Sequence, residues 1–259
     1  MKRILILGGT TEARRLAERL APRADVTVTL SLAGRTAAPA AQPVPVRIGG
    51  FGGAAGLAAF LEVQAIDVLI DATHPYAAQI SKNAAEAAAR ARVPLLAIER
   101  PAWEPVEADR WIGVADMPAA VAALGGTPRR VFLALGRNEL RPFEAAPGHF
   151  YLIRSVDPVT PPLALPQAEY LTGRGPFDEA AEEKLLAAHR IDVIVAKNSG
   201  GAATYGKIAA ARRLGLPVIM LRRAPPRTQV AGNIMAAGNV EEVLARLDHL
   251  LTSTAARGV

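Results

Sequence analysis

The chain carries the same succession of apolar runs twice. Ile66-Asp67-Val68-Leu69-Ile70 returns as Ile191-Asp192-Val193-Ile194-Val195, 125 residues later. Val93–Arg100 returns as Leu216–Arg223, 123 residues later, and Asp116–Leu124 matches Asn239–Leu247 at the same offset. The opening run and turn, Arg3–Glu12, have a counterpart at Arg130–Glu139, 127 residues on. Four matches in order at nearly constant spacing point to a duplicated supersecondary unit. The apolar runs lack polar alternation, so they read as strands buried on both faces. Helical stretches such as Glu12–Leu20 and Ala77–Ala91 separate them, which is the pattern of βαβ units around a parallel sheet. The repeat therefore predicts an α/β protein of two similar Rossmann-like domains with largely parallel sheets. They divide as 1–127 and 128–259, meeting near Gly125-Gly126-Thr127-Pro128, and the terminal segments of each half are free to cross over. A cleft between the carboxyl ends of the two sheets is the expected ligand site.

Composition narrows the function. There is no cysteine, which excludes disulfides, thiolate metal sites and cysteine nucleophiles. No signal-peptide pattern opens the sequence, and no apolar run approaches the roughly 18 residues of a membrane span, so a cytoplasmic protein is expected. The formal net charge is +6, which suits an anionic partner. Arg137, Arg154, Arg174, Arg222 and Arg223 follow apolar runs or glycines and form no single basic stripe. Aromatic residues among them are few, so small-polyanion pockets are favoured over nucleic acid.

The first turn has the character of a phosphate site. Ile4-Leu5-Ile6-Leu7 runs into Gly8-Gly9-Thr10-Thr11-Glu12. Glycines there permit a tight turn and close approach of a ligand, and the helix that follows offers free N–H groups. Thr10 and Ala13 stand where the dinucleotide fingerprint has its second and third glycines. The second strand ends in Ser31-Leu32-Ala33-Gly34-Arg35-Thr36. A carboxylate here reads the ribose hydroxyls of NAD; Ser31 and Arg35 suit a 2′-phosphate instead, which predicts NADPH over NADH. Gly49-Gly50-Phe51-Gly52-Gly53 predicts backbone lying against a ligand, with Phe51 as a flap. In Asp71-Ala72-Thr73-His74-Pro75-Tyr76-Ala77 the polar groups cluster at a strand end. Asp71 and Thr73 read equally as caps or cofactor contacts. His74 suits proton donation near neutral pH and Tyr76 a hydrogen bond to a ligand.

The second half supplies cations at strand ends: Gly136-Arg137, Arg154-Ser155, Gly173-Arg174-Gly175-Pro176-Phe177 and Lys197-Asn198-Ser199-Gly200-Gly201. Arg137, Arg154 and Arg174, with Asn198, Ser199, Gly200 and Tyr205, are the candidate contacts for a carboxylate-rich substrate. Lys207 reads equally as a solvated helix cation. A Gly-x-Ser-x-Gly nucleophile and a P-loop lysine are both missing, and the four histidines are too scattered for a metal site.

Taken together, these segments resemble the precorrin-6A reductase family of cobalamin biosynthesis, over nearly the whole chain. The Thr-His-Pro-Tyr and Lys-Asn-Ser-Gly-Gly segments are its most specific marks. The resemblance implies NADPH-dependent reduction of one double bond of precorrin-6A to give precorrin-6B. It implies NADPH mainly on the N-terminal domain, and substrate acetates and propionates on the arginines and lysines. The proton then comes from His74, Tyr76, Lys197 or solvent. Neighbouring enzymes of the pathway are its expected transient partners. Two readings stay open beside it: a non-catalytic NADP-binding redox sensor, and a reductase of cobalt-precorrin-6A or another polycarboxylate.

Overall fold

The computed structural model describes residues 1–34, 41–223 and 234–255, with side chains through Thr252. Strand β1 (Lys2–Leu7) shows why its apolar run lacks alternation. Ile4 and Ile6 enter one apolar cluster, and Leu5 and Leu7 enter another on the opposite face. A strand alternates its side chains between faces, so both faces must be covered. Helix α1 (Thr11–Leu20) covers one of them with Ala13, Leu16, Ala17 and Leu20, the stripe of a 3.6-residue period.

The chain continues through β2 (Val26–Leu32), β3 (Val46–Ile48), α2 (Gly53–Val63), β4 (Val68–Asp71), α3 (Ala78–Ala91) and β5 (Leu95–Ile98). Then follow β6 (Trp111–Val114), α4 (Met117–Leu124), β7 (Arg130–Ala134), β8 (Phe150–Ser155), β9 (Ala168–Thr172), α5 (Glu179–Ala188) and β10 (Val193–Lys197). The last elements are α6 (Gly206–Arg213), β11 (Val218–Leu221), β12 (Ile234–Ala237) and α7 (Val240–Ala255).

Two six-stranded sheets result, ordered β3-β2-β1-β4-β5-β12 and β9-β8-β7-β10-β11-β6. Every neighbouring pair is parallel. Counted from the first strand of each repeat, both sheets have the order 3-2-1-4-5-6 of doubly wound nucleotide-binding folds. The order reverses between β1 and β4 in the first sheet and between β7 and β10 in the second. Ligands of open parallel sheets bind at such reversal points, outside the carboxyl ends of the strands.

The sixth strand of each sheet comes from the other repeat. β6 pairs with β11, Trp111 opposite Val218, and β12 pairs with β5, Ile234 opposite Leu95. The compact units accordingly follow the sheets rather than the contiguous halves 1–127 and 128–259. The first is Met1–Pro101 with Pro225–Val259 and the second Ala102–Ala224. The terminal segments cross because each five-stranded sheet otherwise ends on an open apolar edge strand. No helix among the described residues is long and apolar enough to cross a membrane.

Candidate functional site

In the first unit the β1–α1 turn lies tight against β2. Gly8 donates its N–H to the Ser31 carbonyl at 2.9 Å, and a Cβ on Gly8 would stand 2.6 Å from Leu30 Cδ1. Gly9 has φ +113° with nothing within 4 Å of where a Cβ would be, so its backbone is exposed in a conformation that glycine alone adopts freely. Thr10 caps α1: its Oγ1 accepts the Ala13 N–H at 3.1 Å and donates to the Ala72 carbonyl at 2.7 Å. One hydroxyl thus ties the helix start to the end of β4. Thr11 opens α1 on the exposed side. Glu12, expected at the cofactor, is drawn away from the turn into an ion pair with Arg100, and both side chains are mostly buried.

Around this turn stand the ends of β2, β3 and β4. Ser31 is buried in β2, and Gly34 follows with φ +74°. Arg35 and Thr36 lie outside the described residues. From within β3, Arg47 donates from Nη1 to the Gly49 carbonyl at 2.5 Å and from Nη2 to the Gly50 carbonyl at 2.8 Å. Its guanidinium also lies 3.8 Å above the Phe51 ring. Phe51 meets Phe60 edge-to-face at 5.1 Å and joins the apolar cluster under α2. It is therefore a packed anchor, not a flap, and there is open space beside Gly49 and Gly50 where a side chain would stand. Arg47 carries no sequence mark beyond its place just before the glycines.

Asp71 and Thr73 close the β4–α3 turn. Asp71 Oδ1 accepts the Thr73 N–H at 3.0 Å and the Thr73 hydroxyl at 2.6 Å, and Thr73 Oγ1 lies 3.3 Å from Ser81 Oγ. Both are buried, at 2% and 7% exposure, and they hold the turn together; neither caps α3, whose N-cap is Ala77 without a side-chain hydrogen bond. His74 and Tyr76 are half-buried just beyond. The Tyr76 N–H donates to His74 Nδ1 at 3.3 Å. With Nδ1 accepting, the proton of the neutral ring is assigned to Nε2.

The second unit handles its charges differently. β7 is followed by 3-10 turns over Arg137–Glu139 and Arg141–Ala145, with no α-helix in the place of α1. Glu139 folds back: its Oε2 accepts the Gly136 N–H at 2.9 Å. Lys197, at the end of β10, donates to Glu139 Oε1 at 2.8 Å and Oε2 at 2.7 Å. Arg137 reaches the Pro158 carbonyl at 3.4 Å and Asp157 at 3.5 Å.

Several expected substrate contacts are internal instead. Arg154 is buried in a two-pronged pair with Glu182, Nη2 to Oε2 at 2.8 Å, and its guanidinium lies 3.7 Å above Phe177. A guanidinium so held and covered cannot receive a substrate carboxylate. Asn198 uses its carboxamide on both backbone groups of Trp103, each at 2.7 Å. The Tyr205 hydroxyl accepts from Arg212 Nη2 at 2.6 Å, and its ring meets Trp103 at 5.6 Å. Ser199 Oγ lies 3.1 Å from Thr204 Oγ1, Gly200 has φ +69°, and Arg174 is exposed beyond β9.

Lys207 is not on a solvated face: it is 4% exposed and donates to the Thr204 carbonyl at 2.6 Å. Burial first, then the nearby Arg154 charge, lower its ammonium from 10.5 to about 7, against the opposing pull of Glu182.

The family profile described as Precorrin-6x reductase CbiJ/CobK matches residues 3–248. The chain is similar to the precorrin-6A reductase of a Sinorhizobium species, 58% identical over 249 residues, which is 96% of this chain and 94% of that one. The precorrin-6A reductase of Rhodobacter capsulatus is 53% identical over 223 residues, covering 86% and 88%. A solved structure, a CobK precorrin-6A reductase, superposes with a TM-score of 0.90 at 49% identity, over 96% of this chain and 97% of that one.

Proposed function

The chain belongs to the precorrin-6x reductase family, and from that premise we propose that it reduces one double bond of precorrin-6A, giving precorrin-6B, with NADPH held by the first unit. The open Gly9 backbone at the reversal point of the first sheet carries the nucleotide part of this reading. A pyrophosphate suits that turn, because Gly9 is exposed with open space beside it and Glu12 is engaged by Arg100. Gly49 and Gly50, with their carbonyls stapled by Arg47, carry no side chain to hinder a ligand's approach there. The choice of NADPH over NADH rests on Ser31 and Arg35 at and after the end of β2, where NAD sites carry a carboxylate.

NADPH supplies a hydride when bound. The chain's own part is to orient the reactants, exclude water and hold a proton. His74 is the proton source in this reading, through Nε2–H, with the Tyr76 N–H fixing the ring. Tyr76 lines the same strand end. Lys197, engaged by both oxygens of Glu139, is set aside as the acid. Arg137 and Arg174, with the Ser199–Gly200 turn, receive carboxylates of the macrocycle. The exposed Arg137 and Arg174 favour an enzyme over a sensor, which needs only the nucleotide site. The place of work is the cytoplasm.

The test is a fluorescence titration with NADPH and NADH, followed by NADPH oxidation in the presence of precorrin-6A. NADPH binds at least about tenfold more tightly in wild type, and Arg35→Ala removes most of that preference. Equal affinities sink the NADPH assignment, and tight NADPH binding without turnover returns the sensor. Full turnover and an unchanged pH profile in His74→Ala remove His74 as the acid.

A further inference from the structure

The reversal point of the second sheet, between β7 and β10, is where a sheet of this order takes its ligand. Here it is taken by a carboxylate of the chain itself. Glu139 receives the Gly136 N–H at 2.9 Å and the Lys197 ammonium at 2.8 and 2.7 Å, three hydrogen bonds from two groups converging on one carboxylate. We propose that Lys197 Nζ and the Gly136 N–H form a carboxylate subsite in which Glu139 is an exchangeable resident, and that one carboxylate of the substrate takes its place. That the substrate is a polycarboxylate tetrapyrrole rests on the function proposed above.

The geometry separates a fixed partner from a movable one. Lys197 closes a central strand, its side chain 16% exposed. Glu139 ends a three-residue 3-10 turn, its side chain is 28% exposed, and Gly136, Arg137 and Asn138 beside it are exposed. Glu139 can therefore rotate into water while the ammonium stays in place. The exchange puts one carboxylate where another was. Lys197 is never left unpaired in a poorly solvated position, and Glu139 regains its hydration. Gly136 keeps the approach clear: a Cβ there would stand 3.0 Å from Glu139 Oε2 and 3.9 Å from Lys197 Nζ. The Arg154–Glu182 pair has none of these properties. Both side chains are at most 9% exposed, so neither can leave without stranding the other.

The test uses the full chain and uroporphyrin III, a stable octacarboxylate tetrapyrrole, followed by absorbance or fluorescence. Removing the resident carboxylate in Glu139→Ala or Glu139→Gln tightens uroporphyrin binding about tenfold, and Lys197→Ala weakens it about tenfold. KM for precorrin-6A moves in the same directions, while the Kd for NADPH stays at its wild-type value in all three. Binding that is unchanged or weaker in both Glu139 variants, with thermal midpoints near wild type, overturns the exchange. If Glu139→Ala is unstable, the isosteric Glu139→Gln decides alone. Tighter uroporphyrin binding without any NADPH-dependent turnover of precorrin-6A by wild type leaves the subsite standing and removes the proposed reaction.

Discussion

The turns Gly8–Glu12 and Gly136–Glu139 begin from one repeated pattern and end with opposite electrostatics. In the first, a ten-residue helix follows, Thr10 caps it, and Arg100 pulls Glu12 off the turn. In the second, no α-helix follows β7 and Lys197 pulls Glu139 onto the turn, where it takes the Gly136 N–H. A glutamate occupies the fourth position after the first glycine of one turn and the third after that of the other. Where it settles is decided by the cation: Arg100 two residues beyond β5, or Lys197 at the end of β10. The glycine pattern alone therefore does not make a phosphate site. A turn is open outright to an outside anion when the chain's own carboxylate is held somewhere else; where that carboxylate sits on the turn, an outside anion must displace it.

Four substitutions probe this contrast. The largest effect is at Lys207, whose burial typifies a second unit that keeps its charges inside. Its folded-state value is about 7 and its ordinary value 10.5. Below pH 7 both states are protonated and the folded state bears the full cost of the buried charge. Between pH 7 and 10.5 the unfolded chain holds the proton and the folded chain does not, so stability rises with pH, by up to about 1.4 kcal/mol per unit. Lys207→Met removes that slope and is the more stable protein at pH 6. Urea unfolding of both proteins from pH 6 to 10 measures the difference, and parallel curves would remove the buried lysine from the account.

Next comes Gly8→Val, whose Cβ would stand 2.6 Å from Leu30 Cδ1. Overpacking there costs about 1–3 kcal/mol and distorts the turn, so NADPH affinity falls together with the thermal midpoint. Thr10→Ala loses the cap and the link to Ala72, about 1 kcal/mol, with a smaller loss of NADPH affinity. The smallest effect is at Gly136→Ala. Its new methyl meets the ends of two side chains, Glu139 Oε2 at 3.0 Å and Lys197 Nζ at 3.9 Å, and φ at Gly136 is −74°. Stability changes by about 0.5 kcal/mol or less, and NADPH titration is unaffected. An equal loss of NADPH binding in Gly8→Val and Gly136→Ala would erase the distinction between the two turns.

The strands were legible because a strand buried on both faces has no polar positions to blur it. Ile4–Leu7, Val68–Ile70 and Val193–Val195 read correctly on that ground alone. The repeat exposed the doubling of the sheet, since equal spacing in sequence reflects equal layers in space. Partners were harder to read. Nothing in the sequence near Arg154 says that Glu182, 28 residues on, will neutralise it, or that Asn198 will hold the backbone of Trp103 from 95 residues away. A strand-end cation looks the same whether its counter-ion is a ligand or a neighbouring helix. Phe51, expected as a flap, is anchored for the same kind of reason: Arg47, a cation four residues earlier, stacks on its ring.

The exchanged sixth strands bear on how the chain is made. In order of synthesis the second sheet has all its strands once β11 (Val218–Leu221) has emerged, because β6 is already present. The first sheet, although begun earliest, waits for β12, which brings Ile234 beside Leu95 after the whole second unit has been translated. The unit that holds the open turn is thus the last to be completed, and a chain interrupted before Ile234 carries a nucleotide-binding sheet with the edge of β5 still uncovered.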